Sequence, residues 1–439
     1  MANQFLNAQE YANSMLLLLK NQLVFGRLVD GQFKDQVTDE NGLTINVKRP
    51  PRFVATSGAS LQAQDLVTGT MPVTVDQYKN VHITVGDLEY IQSFNALMQN
   101  ETMKSAASTL AHDVDKFIAG QTNKFHNFVA GASTGGVNAS DPTKYIASPV
   151  QAMGAHTRLM ANGVPNSDLR GVVLFNDGEL IRGSLLSSFT PDINVSMLER
   201  TRIPIISEID WYATQQSPSI TSGTRTQGDG SSSGGQINGG SQNVNYRDVK
   251  GSAGTVGMTQ TLSIKSLSAA QTVKKGEVFT IQNVYAWDWR NQQTLEFLQQ
   301  FTVLADATAD GSGNIAALSI SPAIITQGTN DGTNTYANSA FGTVGTTPAD
   351  NAYIKFVGAA STAYRTRVAF HKRAISLVSA RLQMPFTGVA SFATDPETGI
   401  AIRYWRGSDI TTGAHVHRWD MVYGAEVMDR FLGTRITGS

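Results

Sequence analysis

Between residues 217 and 362 the chain carries short alternating strands and glycine turns, while both flanks mix helical and strand patterns. A block of one pattern inside a chain of another reads as a β-rich insertion in an α+β parent. Within the block, residues 259–264 alternate, 273–281 read as a turn followed by a strand, and 298–304 and 315–320 are further strands. Residues 309–314 form a hairpin turn between the last two. Short strands at this spacing predict a small β-barrel or sandwich. Gly and Ser dominate residues 222–241 without periodicity, which predicts a flexible loop, and a second Gly/Asn/Thr tract covers 328–347.

The flanks supply the rest. The first 28 residues predict an amphipathic helix with Leu6, Tyr11, Met15, Leu18 and Leu19 on one side. Strands are expected at 43–47, 73–75 and 81–85, the last two joined by a polar turn at 77–80. The stretch between Phe53 and Gly69 buries little, so 43–85 reads as an arm around a long loop. A two-stranded arm is marginal alone and implies something packed on it. From Glu101, apolar residues recur at Met103, Ala107, Leu110, Val114, Phe117, Ile118, Phe125 and Phe128, predicting one helix about 40 Å long over 101–128. Further helices are expected at 149–161 and 179–189. Strands are expected at 171–175, 203–206, 368–370, 374–378, 400–405 and 415–424.

Composition excludes several functions. Lys+Arg number 34 against 35 Asp+Glu, so these totals contain no cationic footprint for tight nucleic-acid binding. The chain has 0 Cys, which removes disulfides and thiolate chemistry. The strongest apolar run, residues 15–19, is ended by Lys20, far short of a membrane span, and its flanks do not suit a signal peptide.

Catalytic patterns are weak. Residues 131–135 match G-x-S-x-G, but a nucleophile elbow needs a strand before Ser133 and a helix after it. His415 and His417 share a strand face, yet two ligands do not complete a metal site. Asp310 and Asp331 sit in Gly turns without the acid spacing of a calcium loop. Tyr285, Trp287 and Trp289 alternate onto one face of a strand, and core packing of the inserted barrel explains them. No enzyme activity and no cofactor are expected. The basic cluster Lys48, Arg49 and Arg52, at the base of the arm, is the candidate for contact with a neighbouring subunit, together with Asp65.

Several segments, in order, resemble the coat-protein family of short-tailed phages typified by phage P-twenty-two. They are the helix from Glu101, residues 273–284, 298–303 with 305–310, 319–324, 369–378 and 419–424. The resemblance implies the HK-ninety-seven-like phage capsid fold. It would place an N-arm at 1–42, an E-loop arm at 43–88, and a P-domain with its long spine helix at 89–147. The first part of an A-domain would fall at 148–216, an inserted β-barrel I-domain at 217–362, and an A-domain/P-domain return at 363–439. The function implied is a major capsid protein that self-assembles into pentamers and hexamers of an icosahedral shell enclosing dsDNA. Implied partners are copies of itself, a scaffolding protein, a portal protein at one vertex and packaged dsDNA touched non-specifically, with no membrane. The implied location is the virion, assembled in the bacterial host cytoplasm. The alternative is another virion part, such as a tail or fibre component that binds a host surface.

Overall fold

A computed structural model of the chain describes residues 8–33, 42–48, 52–55, 70–86, 101–130, 143–186, 203–246, 258–327, 339–409 and 413–437. The chain divides into two compact units. Residues 1–46, 72–121 and 375–427 form one, and residues 47–71, 122–374 and 428–439 form the other.

The first unit is built around one long strand, Ala414–Val427. One stretch of it, 414–421, pairs with Ala401–Asp409, and 422–427 pairs with Ile375–Ala380. Gln77–Gly86 runs antiparallel to 414–423. These backbone partners draw residues 77–80 into the strand, where the sequence had suggested a turn. Gly424 is required here: a Cβ would meet the Thr74 carbonyl oxygen at 2.0 Å. Helix α1, Ala8–Gln22, buries Tyr11, Met15 and Leu19, and after a break at Leu23 a short turn, α2, covers Phe25–Leu28.

Helix α3, Met103–Gln121, buries Ala107, Leu110, Val114 and Ile118 on the expected stripe. It is 19 residues long, about 28 Å, and not 40. A 3-10 turn follows at Thr122–Lys124, and Asn127–Ala130 is a strand. Phe125 and Phe128 continue the helical spacing for another reason. Phe125 stacks on Phe370 and Phe128 meets Tyr364 edge-on, both within the second unit.

In the second unit a five-stranded mixed sheet runs in the order Asn127–Ala130, Gly433–Thr437, Arg367–His371, Leu169–Val173, Asp210–Ala213. Helices α4, Pro149–Ala161, and α5, Phe175–Leu186, accompany it. Ala152, Ala155 and Leu159 share a core with Val173, Ile181, Trp211 and Ile436. Asp177, fully buried, accepts the Ile146 and Leu174 backbone N–H groups and the Arg367 Nε–H at 2.9, 3.1 and 2.7 Å. The strand expected at 203–206 does not form. Positive φ at Ser207 and Glu208 makes a tight turn bridged by Ile206 and Ile209, and the strand starts at Asp210.

The β-rich block is entered and left through a two-stranded stem, Ser219–Thr221 against Ala363–Arg365. Beyond it, six strands run in the order Ile354–Phe356, Val278–Asp288, Gln293–Val303, Ile315–Ser321, Gln260–Lys265, Gln236–Ile237. The two end strands meet: Ile354 N–H donates to the Gly235 carbonyl and Ile237 N–H to the Ala352 carbonyl, at 2.8 and 2.9 Å. The sheet therefore closes into a barrel. Phe279, Phe301, Ile264, Leu318 and Ile320 fill it. Register shifts beside Tyr285 break the alternation, so Tyr285 is 41% exposed and Trp287 only 7%.

The Gly/Ser tract, expected as a flexible loop at 222–241, is knitted into this unit. Arg225 is wholly buried, and its Nε–H donates to Glu277 at 2.9 Å while Nη1 and Nη2 reach the carbonyls of Gly358 and Val357. Asp229 accepts the backbone N–H groups of Ser231, Ser232 and Ser233, so small polar residues here build a turn. Glycine is demanded at 228 and 234 by φ of +74° and +105°.

Two predictions follow from this packing. A Cβ on Gly171 would lie 2.3 Å from the Trp211 ring. Gly171→Ala should therefore lower unfolding stability by about 1–3 kcal/mol, and Gly171→Ala with Trp211→Leu should recover part of it in urea titrations. In the first unit, Asp115 of α3 accepts N–H bonds from Val24 and Gly26 at 2.7 and 2.9 Å. Burial raises its carboxyl from 3.8 to about 6 in spite of those donors. A raised folded pKa favours folding below the unfolded value, and the benefit is lost as pH climbs through about 6. Asp115→Asn should flatten that part of the stability–pH curve, and parallel curves for the two proteins would contradict the assignment.

Candidate functional site

Among the described residues no group of three His, Asp or Glu side chains is placed to hold a metal ion. His417 is buried, with Nδ1 2.6 Å from the Tyr404 hydroxyl, and burial lowers it to about 4. Asp310 Oδ1 accepts the Ser312 and Asn314 N–H groups, which is turn chemistry. Ser133 and Asp331 lie outside the described residues. No helix among the described residues is long and apolar enough to cross a membrane.

The surface carries the remaining signals. In the first unit a loop joins Ile375–Ala380 to Val389–Thr394. Its base is fixed: Trp405 Nε1–H donates to the Thr387 carbonyl at 3.0 Å and Arg403 Nη1–H to the Gln383 carbonyl at 2.6 Å. Gly388 has φ +86°, and a Cβ there would meet the Arg406 carbonyl oxygen at 2.5 Å. At the tip Phe386 is 108% exposed, with Met384 and Val389 exposed beside it. A cleft of about 500 Å³ opens next to the loop, lined by Thr387, Gly388, Trp405, Val416 and Arg418 among others. Arg418 is positioned by Asp420, fully buried, and by the Tyr78 hydroxyl at 2.7 Å. In the second unit, Val150 and Met153 of α4, Phe175 and Leu180 of α5, and Ile205 and Tyr212 are also exposed.

Of the four contact candidates from the sequence, Lys48 ends the strand Thr44–Lys48 and is exposed. Arg49 and Asp65 lie outside the described residues. Arg52, expected as a cation offered to a neighbour, is engaged by its own chain. Its guanidinium lies 4.8 Å from the Trp289 ring centre and 5.4 Å from that of Phe341, and Asp429 is 3.8 Å away. Phe386 was missed because a lone Phe after Pro385 lies in no periodic element, and exposure cannot be read from type.

The barrel and the five-stranded sheet meet at a polar seam within the second unit. The Gln300 side chain donates Nε2–H to the Phe128 carbonyl and accepts the Phe128 N–H on Oε1, both at 2.7 Å. Thr302, two residues on along the same strand, donates to the Phe125 carbonyl at 3.1 Å. Arg435 Nη1–H donates to the Gly276 carbonyl and Nη2–H to Thr302 Oγ1, at 2.7 and 3.1 Å. Gln300 thus stands in for the strand missing at the outer edge of Asn127–Ala130.

Residues 228–438 match the family model described as P22 coat protein, gene protein 5. No curated protein matches the chain. The solved structures to which it is similar include one from Mycobacterium phage Che8, at 14% identity and TM-score 0.44, covering 94% of this chain and 90% of that one. Another is the capsid of Ralstonia phage GP4, at 6% identity and TM-score 0.44, covering 100% and 92%. A third is the CUS-3 coat protein I-domain, at 24% identity and TM-score 0.20, covering 28% of this chain and 94% of that one. The matched sequence defines a bacteriophage coat protein. Over residues 228–438 the chain is similar to the P22 coat protein family, in agreement with the resemblance carried by the sequence segments.

Gln300→Leu should leave the Phe128 N–H and C=O without partners in a buried seam, costing at least about 2 kcal/mol. Hydrogen exchange measured at the Phe128 amide should accelerate in that variant, and an unchanged rate would show that the amide is held by something else.

Proposed function

We propose that this chain is a major capsid protein that assembles with copies of itself into pentamers and hexamers of an icosahedral shell enclosing dsDNA. The observation that carries this reading is the coat-protein match over residues 228–438, which spans most of the barrel, the exit strand of the stem and the closing strands. Its fold is the HK-ninety-seven-like capsid fold with an inserted I-domain. In this reading 1–42 is the N-arm, 43–88 the E-loop arm, 89–147 the P-domain with α3 as its spine, and 148–216 the first part of the A-domain. Residues 217–362 are the I-domain and 363–439 the return. The stem at 219–221 and 363–365 supports the insertion boundaries.

Assembly works by burying surface that a solitary copy exposes. Phe386 stands free on an anchored loop, so its benzyl group gains about 1.5–3 kcal/mol wherever a partner covers it. Identical copies meeting head to tail close into rings when the rotation closes. Lys48, with Arg49, Arg52 and Asp65, contributes contacts between neighbouring subunits from the arm; for Arg52 this requires sharing or exchanging its present partners. A scaffolding protein during assembly, a portal ring at one vertex and non-specific contact with packaged dsDNA complete the partner set. The shell forms in the bacterial host cytoplasm and ends as the virion coat.

The reading is tested by producing the full chain with and without a scaffolding partner and imaging the products. Closed shells are expected. Dispersed monomers in the presence of scaffold would overturn it, and small trimeric rods would point to a tail or fibre component. Phe386→Asp should leave the circular dichroism and melting of the unassembled chain unchanged while cutting shell yield roughly tenfold.

A further inference from the structure

Among the described residues three arginines are fully buried: Arg225, Arg367 and Arg435. Arg225 is paired with Glu277 and Arg367 with Asp177. Among the described residues Arg435 has no such carboxylate, and neither does Arg158 of α4, which is 3% exposed. Both lie at the seam. Arg158 donates Nη2–H to Gln300 Oε1 at 2.9 Å and sits 3.5 Å above the Phe297 ring. Arg435 bonds Gly276 and Thr302 and faces the Phe128 ring at 5.7 Å.

Several polar atoms are left over. Among the described residues Arg158 Nε and Nη1 and Arg435 Nε, all buried, have no hydrogen-bond partner, and the same holds for both ring nitrogens of His126, which is 0% exposed. Arg158, Arg430 and Arg435 all act on His126 electrostatically, so these groups share one neighbourhood. Burial lowers Arg158 to about 9 and Arg435 to about 10, which leaves both cationic at neutral pH. Two buried guanidinium ions with unmet N–H groups and no carboxylate partner among the described residues are strongly unfavourable. The aromatic faces offset part of that and leave the N–H groups unsatisfied.

We infer that the seam holds a small inorganic anion, a halide or an oxyanion, bound by Arg158 Nε–H, Arg435 Nε–H and an N–H of His126. The donors come from α4, the strand Gly433–Thr437 and the loop before Asn127–Ala130. The two arginines also grip Gln300 and Thr302 of the barrel. The anion therefore fixes the joint between the five-stranded sheet and the barrel, and it does so in the single chain, independently of any assembly.

The test is thermal unfolding of the unassembled full chain at constant ionic strength in sodium gluconate. Gluconate is replaced stepwise by chloride in one arm and by inorganic phosphate in the other. A saturable rise in melting temperature of about 3 °C at a hundredfold excess over the dissociation constant is expected in at least one arm. Chloride alone would mark a halide site and phosphate alone an oxyanion site. The double variant Arg158→Met with Arg435→Met should melt independently of either ion. If it does not fold, Arg158→Lys keeps the charge, loses the fork, and should weaken the apparent affinity at least tenfold. A wild-type melting temperature flat in both arms, or an equal rise in the variants, would overturn the site and leave water in the seam.

Discussion

The strand Asn127–Ala130 lies at the edge of the five-stranded sheet, and its outer side faces a side chain and not another strand. Gln300 presents an amide with the same donor and acceptor spacing as a peptide group, so it can pair with Phe128 as a neighbouring strand would. That joint decides much else. It sets where the barrel meets its parent sheet, it places Thr302 against Phe125, and it gives Arg158 and Arg435 partners from a different part of the chain. A barrel tied only by its two-stranded stem could swing. This one is also tied across its side by hydrogen bonds to buried backbone.

Charge is scarce in this protein, at 16% of residues, and among the described residues Arg158, Arg225, Arg367 and Arg435 are buried. Arg225 with Glu277 closes the start of the Gly/Ser tract, and Arg367 with Asp177 fixes the entry to α5. In both cases the planar guanidinium satisfies several acceptors at once, which a lysine could not do. The same economy leaves the surface rich in neutral polar groups, and against it Phe386 stands out. Its loop is anchored by Trp405 and Arg403 below the tip, so the exposed ring is presented in a defined place.

In the second unit the closed barrel and the hydrogen-bonded seam hold one shape. In the first unit, the strand Ala414–Val427 gathers its neighbours, while the 381–388 loop and its cleft face outward.

Alternation, glycine turns and helical stripes were enough to place most elements, because each reflects a local preference for one buried face. The strand at 260–265, the first part of 278–288, the last part of 293–303, the helix Pro149–Ala161 and the β-rich character of the block were legible for that reason. Where the chain's partner is distant in sequence, local pattern misled. Phe125 and Phe128 kept helical spacing while packing on Phe370 and Tyr364, so α3 ended at Gln121. Residues 222–241 carried no apolar pattern, yet the Arg225–Glu277 pair and the Asp229 turn order them through polar groups. Of the candidate site, Lys48 and Arg52 could be named from sequence, but the aromatic faces that hold Arg52 and the exposure of Phe386 depend on where the rest of the chain lies. The sequence by itself determined which segments could become helix, strand or turn, since that depends on neighbours along the chain. Only the tertiary structure decided which edges meet and which charges are buried together, since those depend on residues brought close from hundreds of positions apart.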